Sequence, residues 1–266
     1  MSRLTLSLTA LVALAGNLRA AEPPKVEIVA HRGASFDAPE NTVASMKLAW
    51  EQKADVGELD VFLSRDGKIV VIHDPTTRRT TGVDGKVAEM TLAELRKLDA
   101  GKWKNEKFAG ERIPTLEEIL ATVPPGKRLF IEVKCWPEIV PELDRVLKAS
   151  RLKPEQTVVI SFSADVVAAV KKARPDLPAY WVVSLVGKRT ARELIDKAKQ
   201  IGADGLDLSA NPAVLDKAFA EQVKSAGLRL YVWTVNDVAL ARKMIEAGVE
   251  GITTDRPGWL REQLAP

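Results

Sequence analysis

Short apolar runs rich in Val and Ile recur along the chain from Val26 onward and alternate with segments of helical spacing. Each run has the length of one β-strand and is bounded by turn residues. Strands that alternate with helices form parallel sheets, because a parallel neighbour needs a crossover connection. Eight such strands are predicted: Val26–Ala30, Val56–Phe62, Arg128–Lys134, Thr157–Ser161, Ala179–Val183, Gly205–Leu208, Arg229–Trp233 and Gly251–Thr253.

The stretches between these strands carry apolar residues three and four positions apart, as amphipathic helices do. Several end at a glycine, which tolerates the left-handed backbone that stops a helix. The predicted helices are Asn41–Gln52, Leu116–Thr122, Pro137–Ser150, Ala164–Ala173, Ala191–Ile201, Pro212–Ala226 and Asp237–Ala247. Eight strands in this order favour an α/β fold of the closed (β/α)₈ TIM-barrel type, with an open doubly wound sheet as the alternative.

A ninth apolar run, Ile69–His73, does not fit the alternation. It follows the second strand after only six residues, too few for a parallel crossover, and the intervening Asp66-Gly67 is a hairpin signal. The run should therefore fold back on the second strand and place His73 opposite Leu59. Residues 75–114 then form a small insertion after this hairpin, with one predicted helix over Thr91–Leu98, and we expect it to cover the barrel mouth.

The composition of the 266-residue chain narrows its function. Apolar residues make up 46% and charged residues 28%, enough for one large domain with a polar surface. The formal charge of +3, without a Lys/Arg block, argues against nucleic acid as a partner but leaves room for a local anion pocket. Cys135 is the only cysteine, so it cannot form an internal disulfide and is expected to pack as a small apolar residue.

The first residues differ from the rest of the chain. A positive start at Arg3, an uncharged apolar run over Leu4–Ala15 and small residues near Ala20 predict a signal peptide over residues 1–21. The run is shorter than the roughly 20 residues needed to span a bilayer, which makes an uncleaved anchor the weaker alternative. We therefore expect export, to the periplasm or the medium, and residues 22–266 as a single barrel domain without stable membrane insertion.

Polar side chains stand at the carboxyl ends of the predicted strands, where a barrel gathers its active site. Residues two apart on a strand point to the same face, so that each pair of polar residues can converge on one place. The first three strands supply six of them: His31 and Arg32, Glu58 and Asp60, and Glu132 and Lys134.

The three acids Glu58, Asp60 and Glu132 would repel one another if they met in a partly dry site. A divalent cation removes this repulsion, and oxygen-only ligands favour a hard ion such as Mg²⁺ or Ca²⁺. The alternative is that each acid is solvated at a strand end or pairs with a nearby Arg or Lys. Spacing alone leaves both interpretations open.

The chain contains two histidines, His31 and His73, and both fall at this end of the barrel. Imidazole titrates near neutral pH, so one ring could accept a proton while the other donates one, with Asp74 orienting or tuning His73. Each histidine could instead be a satisfied structural residue. Arg32 and Lys134 could grip an anion with oxygens on several faces, such as phosphate, or simply balance nearby acids; for Arg32 these would be Glu40 or Glu58.

Seven segments run in the order of a known family over nearly all of the mature chain. They are AHRGASFDAPENT, ELDVFLSRDGKIVVIHD, TLAELRKLDAGKW with FAGERIPTLEEIL, IEVK, VVISFS, YVWTVND and GVEGITTDRP. Together they resemble the glycerophosphodiester phosphodiesterases, within the wider group of barrel phosphodiesterases that includes bacterial phosphoinositide phospholipases C. The resemblance implies a metal-dependent hydrolase that splits glycerophosphodiesters into sn-glycerol 3-phosphate and an alcohol.

The resemblance also implies roles for individual residues: His31 and His73 as the acid and base, Glu58, Asp60 and Glu132 as ligands of one divalent cation, and Arg32, Lys134 and Trp233 as substrate-binding residues. Trp233 could instead plug the barrel top. Asn41 would sit beside the site, although it also fits a helix N-cap. The nucleophile would be water or the glycerol 2-hydroxyl.

Two other functions remain open at this stage. Cleavage of a lysophospholipid or phosphoinositide would need an apolar path, for which Phe36, Trp103 and Phe108 are candidates. A periplasmic protein that binds phosphodiesters without cleaving them is the alternative from another class. Such a protein would be expected to lack one of the histidines or acids, and none is missing.

Overall fold

Eight parallel strands close into a barrel in the computed structural model, which describes residues 26–187 and 189–265. The strands are β1 (Glu27–Ala30), β2 (Val56–Leu63), β3 (Ile69–Val71), β4 (Arg128–Val133), β5 (Thr157–Ser161), β6 (Ala179–Val183), β7 (Gly205–Ser209), β8 (Arg229–Trp233) and β9 (Gly251–Thr254). Around the barrel the order is β1, β2, β4, β5, β6, β7, β8 and β9, and β9 pairs with β1. This closure confirms the TIM barrel and excludes the open sheet.

The helices lie outside the strands. They are α1 (Val43–Glu51), α2 (Arg78–Thr81), α3 (Leu92–Leu95), α4 (Leu116–Leu120), α5 (Val140–Ala149), α6 (Ala164–Ala173), α7 (Ala191–Gln200), α8 (Lys217–Ser225), α9 (Val238–Ala247) and α10 (Pro257–Leu264). The predicted start of α8 at Pro212 was wrong, because the side chain of Asp216 caps the helix by accepting a hydrogen bond from the Phe219 amide. α10 was not predicted, although Pro257 occupies a favourable first-turn position.

Aromatic rings fill the lower part of the barrel. Phe130 packs edge-on against Tyr231 with ring centroids 5.1 Å apart, and Tyr180 stacks on Tyr231 at 5.6 Å. Two inward-facing glycines make room for them: a Cβ on Gly251 would lie 2.3 Å from the Tyr231 ring, and one on Gly205 would lie 2.7 Å from the Tyr180 ring. These rings fill the interior below the carboxyl ends of the strands. A ligand inside the barrel must therefore bind between the rings and the carboxyl ends of the strands.

The hairpin and the insertion shape the rim. β3 runs antiparallel to β2 and pairs Val71 with Val61, a register that places His73 opposite Leu59 as predicted. Residues that follow β3 pack around a small core of their own, which includes Val87, Leu95 and Ile113. From this insertion the Lys104 ammonium donates a hydrogen bond to the Ser35 carbonyl at 2.8 Å, which brings it against the loop after β1.

The predicted signal peptide, residues 1–21, lies outside the described residues. Among the helices of residues 26–187 and 189–265, none combines the length and the apolar character needed to cross a membrane.

Candidate active site

A cavity of about 170 Å³ opens at the carboxyl ends of the strands, above the aromatic layer. Seven of the eight residues predicted to form the site line it, and the eighth, Asp60, is buried next to them. The seven are His31, Arg32, Glu58, His73, Glu132, Lys134 and Trp233. A larger cavity of about 460 Å³ lies between α4 and α5, but its lining is mostly apolar and contains no histidine. The histidines and acids therefore make the smaller cavity the candidate site.

Glu58, Asp60 and Glu132 form a compact acid cluster at the base of this cavity. Each offers one carboxylate oxygen, and these oxygens lie within 4.8 Å of one another. The residues are only 2%, 1% and 8% exposed, and β2 and β4 place Asp60 directly beside Glu132. One oxygen of Glu58 and one of Asp60 have no hydrogen-bond partner among the described residues.

Burial and mutual repulsion make this cluster costly without a cation. Burial raises the pKa of Glu58 well above its ordinary value, and the charges of Asp60 and Glu132 raise it further. Burial, followed by the charge of Asp60, raises the pKa of Glu132 to about 7. A set of carboxylate oxygens, two of which accept no hydrogen bond from the described residues, fits a hard divalent cation such as Mg²⁺ or Ca²⁺.

Two cationic side chains flank the acids. The Lys134 ammonium donates to Glu132 at 2.8 Å and lies 3.4 Å from Asp60. The Arg32 guanidinium donates to Glu40 at 2.9 Å and lies 3.3 Å from Asp60. Both cations therefore pair with acids while still lining the cavity, so charge balance and anion binding do not exclude each other here.

The loop after β1 holds a strained backbone that fixes the acids. Arg32 and Asn41 have left-handed φ angles of 54° and 58°, which cost a non-glycine residue about 1–2 kcal/mol. In this conformation the Arg32 amide donates to Glu58 at 2.7 Å. The Asn41 side chain both donates to Asp60 (2.8 Å) and accepts from its amide (3.1 Å). Asn41 is thus a site residue, and Thr42 is the N-cap of α1.

Each histidine is oriented by a carboxylate. Nδ1 of His31 lies 2.6 Å from Asp255, and Nδ1 of His73 lies 2.7 Å from Asp74. A carboxylate partner requires the proton on Nδ1, which leaves Nε2 as the nitrogen available for proton transfer. Burial opposes ionisation of Asp255, but hydrogen bonds from His31 and others lower its pKa to about 2. Burial lowers the pKa of His73, so this ring is neutral near pH 7.

A second pair of contacts supports His73. Arg79 of the insertion donates to Asp74 at 2.6 Å and to both oxygens of Glu40, at 2.7 and 2.8 Å. Glu40 also accepts a hydrogen bond from Arg32. A chain of ion pairs therefore runs from Arg32, the candidate phosphate-binding residue, through Glu40 and Arg79 to Asp74, the carboxylate that orients His73.

This architecture matches a known family. The profile of the Glycerophosphoryl diester phosphodiesterase family matches residues 31–259, which include every residue of the site. The chain belongs to this family. As a family member it is an enzyme that hydrolyses glycerophosphodiesters, which sets aside the non-catalytic binding protein.

Relatives of this phosphodiesterase share most of its length. A glycerophosphodiester phosphodiesterase of Bacillus subtilis is 34% identical over 91% of this chain and 87% of the relative. One from Caldanaerobacter subterraneus subsp. tengcongensis is 39% identical over 88% and 95%. An Oleispira antarctica phosphodiesterase, solved with the product sn-glycerol-3-phosphate, superposes with a TM-score of 0.82 at 31% identity and covers 90% of this chain and 96% of its own.

The sequence left some residues of this phosphodiesterase site without a role. Asp207 and Thr253 line the cavity from β7 and β9, and Asp255 orients His31. The signal that could have found them is the inward period of two, since Gly205 and Gly251 begin the same inward rows. Trp233 lines the cavity, and its Nε1 donates to the Asp207 carbonyl at 3.1 Å.

Proposed function

We propose that this phosphodiesterase releases sn-glycerol 3-phosphate and an alcohol from glycerophosphodiesters, with one divalent cation and two histidines. The observation that carries the proposal is a single cavity that is lined by two imidazoles, each hydrogen-bonded to a carboxylate, and that adjoins a cluster of three buried acids. The names of the curated relatives and the product bound in the Oleispira antarctica structure support the same substrate class.

The acid cluster, Glu58, Asp60 and Glu132, would hold the cation, Mg²⁺ or Ca²⁺. When bound, it supplies positive charge beside the phosphate oxygens. Arg32 and Lys134 add two cationic donors at the same cavity, so that negative charge building up on phosphorus oxygens in the transition state is stabilised. The family commonly depends on divalent cations, in keeping with this assignment.

The two histidines divide the proton transfers. His73, whose pKa burial lowers, is the neutral imidazole suited to accept a proton from the attacking hydroxyl. His31, whose Nδ1 lies 2.6 Å from Asp255, would then donate a proton to the departing alcohol. The attacking group is water or the glycerol 2-hydroxyl; in the second case a cyclic phosphate forms and is then hydrolysed.

The decisive experiment measures release of sn-glycerol 3-phosphate from glycerophosphocholine before and after chelation, with Mg²⁺ and Ca²⁺ added back separately. His31→Ala and His73→Ala should each slow the chemical step by a factor on the order of 10² to 10⁴. Glu132→Gln removes one carboxylate of the acid cluster. Its matched control is Glu246→Gln, because Glu246 is an exposed acid on α9. Undiminished turnover in chelator, or in either histidine variant, would contradict the proposal.

A second substrate class has one observation in its favour. Phe36 and Trp103 are 53% and 40% exposed and line a cavity of about 280 Å³ that shares His31 and Arg32 with the site. An acyl chain of a lysophospholipid could lie there, although Phe108 is not part of this lining. Faster cleavage of lysophosphatidylcholine than of glycerophosphocholine would favour this class.

We also propose that residues 1–21 direct export to the periplasm or the medium, from the charge and apolar pattern of that segment. The mature chain recovered from a periplasmic fraction should begin near Ala21 or Glu22. An intact Met1 on the exported protein would contradict cleavage.

A further inference from the structure

Two polar side chains of the cavity take no part in the chemistry proposed above. Asp207 of β7 and Thr253 of β9 line the cavity, and each residue is only 2% exposed. Asp207 Oδ1 and Thr253 Oγ1 have no hydrogen-bond partner within residues 26–187 and 189–265. Buried polar atoms are normally paired, and leaving one unpaired costs about 1–3 kcal/mol. Such a cost is tolerated where a ligand supplies the missing bond.

The surroundings define what this ligand group can be. β7 stands four strands away from β2 around the eight-stranded barrel. Asp207 therefore lies across the barrel from the acids of β2. Ile160 and Val182 line the same cavity and offer apolar contact to carbon atoms. The region around Asp207 therefore suits a small group with both carbon and polar atoms.

The donor and acceptor chemistry selects hydroxyl groups. Burial raises the pKa of Asp207 well above its ordinary value and the charge of Glu132 raises it further. A hydroxyl can accept from a protonated carboxyl and donate to an ionised one, so it pairs with Asp207 in either state. A phosphate would meet repulsion from an ionised Asp207, and the cationic groups that suit phosphate, Arg32 and Lys134, follow β1 and β4. Thr253 likewise both donates and accepts.

We propose that Asp207 and Thr253 bind the hydroxyl groups of the glycerol half of the substrate and so select glycerol over other alcohols at this position. The inference rests on the proposed function, because it takes a glycerophosphodiester as the substrate. The glycerol half then faces Asp207, Thr253, Ile160 and Val182, while the second alcohol lies towards the open side that Phe36 and Trp103 line.

The test compares two ligands that differ only in hydroxyl groups. Inhibition constants of sn-glycerol 3-phosphate and n-propyl phosphate are measured at one fixed concentration of Mg²⁺, with turnover of bis(4-nitrophenyl) phosphate as the reporter. The variants are Asp207→Val and Thr253→Val. Thr157→Val is the matched control, because Thr157 is a buried threonine at the start of β5 and does not line the cavity.

The wild type should bind sn-glycerol 3-phosphate more tightly than n-propyl phosphate. Each cavity variant should weaken the glycerol ligand about threefold to tenfold, the worth of one hydrogen bond, and leave n-propyl phosphate unchanged. Asp207→Val should not lower the thermal midpoint, since it removes an unpaired buried carboxyl. Equal weakening of both ligands, or no weakening of either, would overturn the inference.

The same experiment separates this inference from the proposed function. Failure of the wild type to release sn-glycerol 3-phosphate from glycerophosphocholine would refute the proposed function. Normal release by the wild type, together with unchanged ligand discrimination in Asp207→Val and Thr253→Val, would refute the hydroxyl-binding role alone.

Discussion

Raising the pH should destabilise the cation-free protein between about pH 4.5 and 7, because Glu132 must then ionise inside the acid cluster. Its pKa rises from 4.5 to about 7 in the folded state. Within this window the folded protein keeps a proton that the unfolded chain has lost, so stability falls as pH rises. At about 1.4 kcal/mol per pH unit, Glu132 alone accounts for about 3 kcal/mol. That is a large share of a typical stability of about 5–15 kcal/mol.

A divalent cation should remove this loss. It binds ionised carboxylates, so it must displace protons at pH 5 but binds without that penalty at pH 8. Saturating Mg²⁺ or Ca²⁺ should therefore stabilise the protein more at pH 8 than at pH 5. For a chain of this size about 3 kcal/mol corresponds to about 6–12 °C in the thermal midpoint.

The assay is thermal unfolding at pH 5 and pH 8, in chelator and in cation, for the wild type, Glu132→Gln and the control Glu246→Gln. The lowered pKa of His73 acts in the opposite sense below about pH 6.5, so the difference from Glu132→Gln isolates the acid. The cation-free wild type should lose about 6–12 °C more than Glu132→Gln between the two pH values. Identical pH profiles of these two proteins, or equal stabilisation by the cation at both pH values, would refute the reasoning.

Three other changes test single contacts. Asp255→Asn should lower kcat by about 10-fold to 100-fold and change KM little, since it removes the anion that orients His31. An effect mainly on KM in steady-state kinetics would contradict this role. Asn41→Ala should weaken cation affinity by about 10-fold to 100-fold in calorimetric titration, because two hydrogen bonds that fix Asp60 are lost; unchanged affinity would argue against this role. Gly251→Ala should cost about 1–3 kcal/mol in urea unfolding, and a smaller cost would mean that Tyr231 can move aside.

Local signals predicted the fold and the position of His73. The Asp66-Gly67 turn and the even spacing of the flanking strands set the hairpin register, and the structure has it: the Ile72 amide donates to the Asp60 carbonyl at 3.0 Å. The acids of β2 and β4 also meet as expected, because parallel neighbours carry their side chains in register. A local turn signal therefore carried the hairpin, and the alternation of strands and helices carried the meeting of the acids.

Contacts between distant segments could not be predicted in the same way. His31 and Asp255 are separated by 224 positions, and only the closure of β9 on β1 brings them together. Asn41 reads as a helix cap by residue type, and its left-handed backbone becomes intelligible only when the buried Asp60 next to it is known. Such contacts depend on the geometry of the closed barrel, which local sequence propensities do not contain.

Charged groups are concentrated on one side of the cavity, so that even a small site can bind its substrate in one orientation. The acid cluster Glu58, Asp60 and Glu132 comes from β2 and β4, and Arg32 and Lys134 follow β1 and β4, whereas β7 and β9 present Asp207 and Thr253. If phosphate binds at the charged side, as we propose, a glycerol half bound by these two residues would leave the other alcohol towards the opening. The enclosed side can then be selective because its partners are fixed by burial, and the open side can accept different alcohols because polar groups there, such as Ser35, Glu40 and Asp255, already pair within the protein.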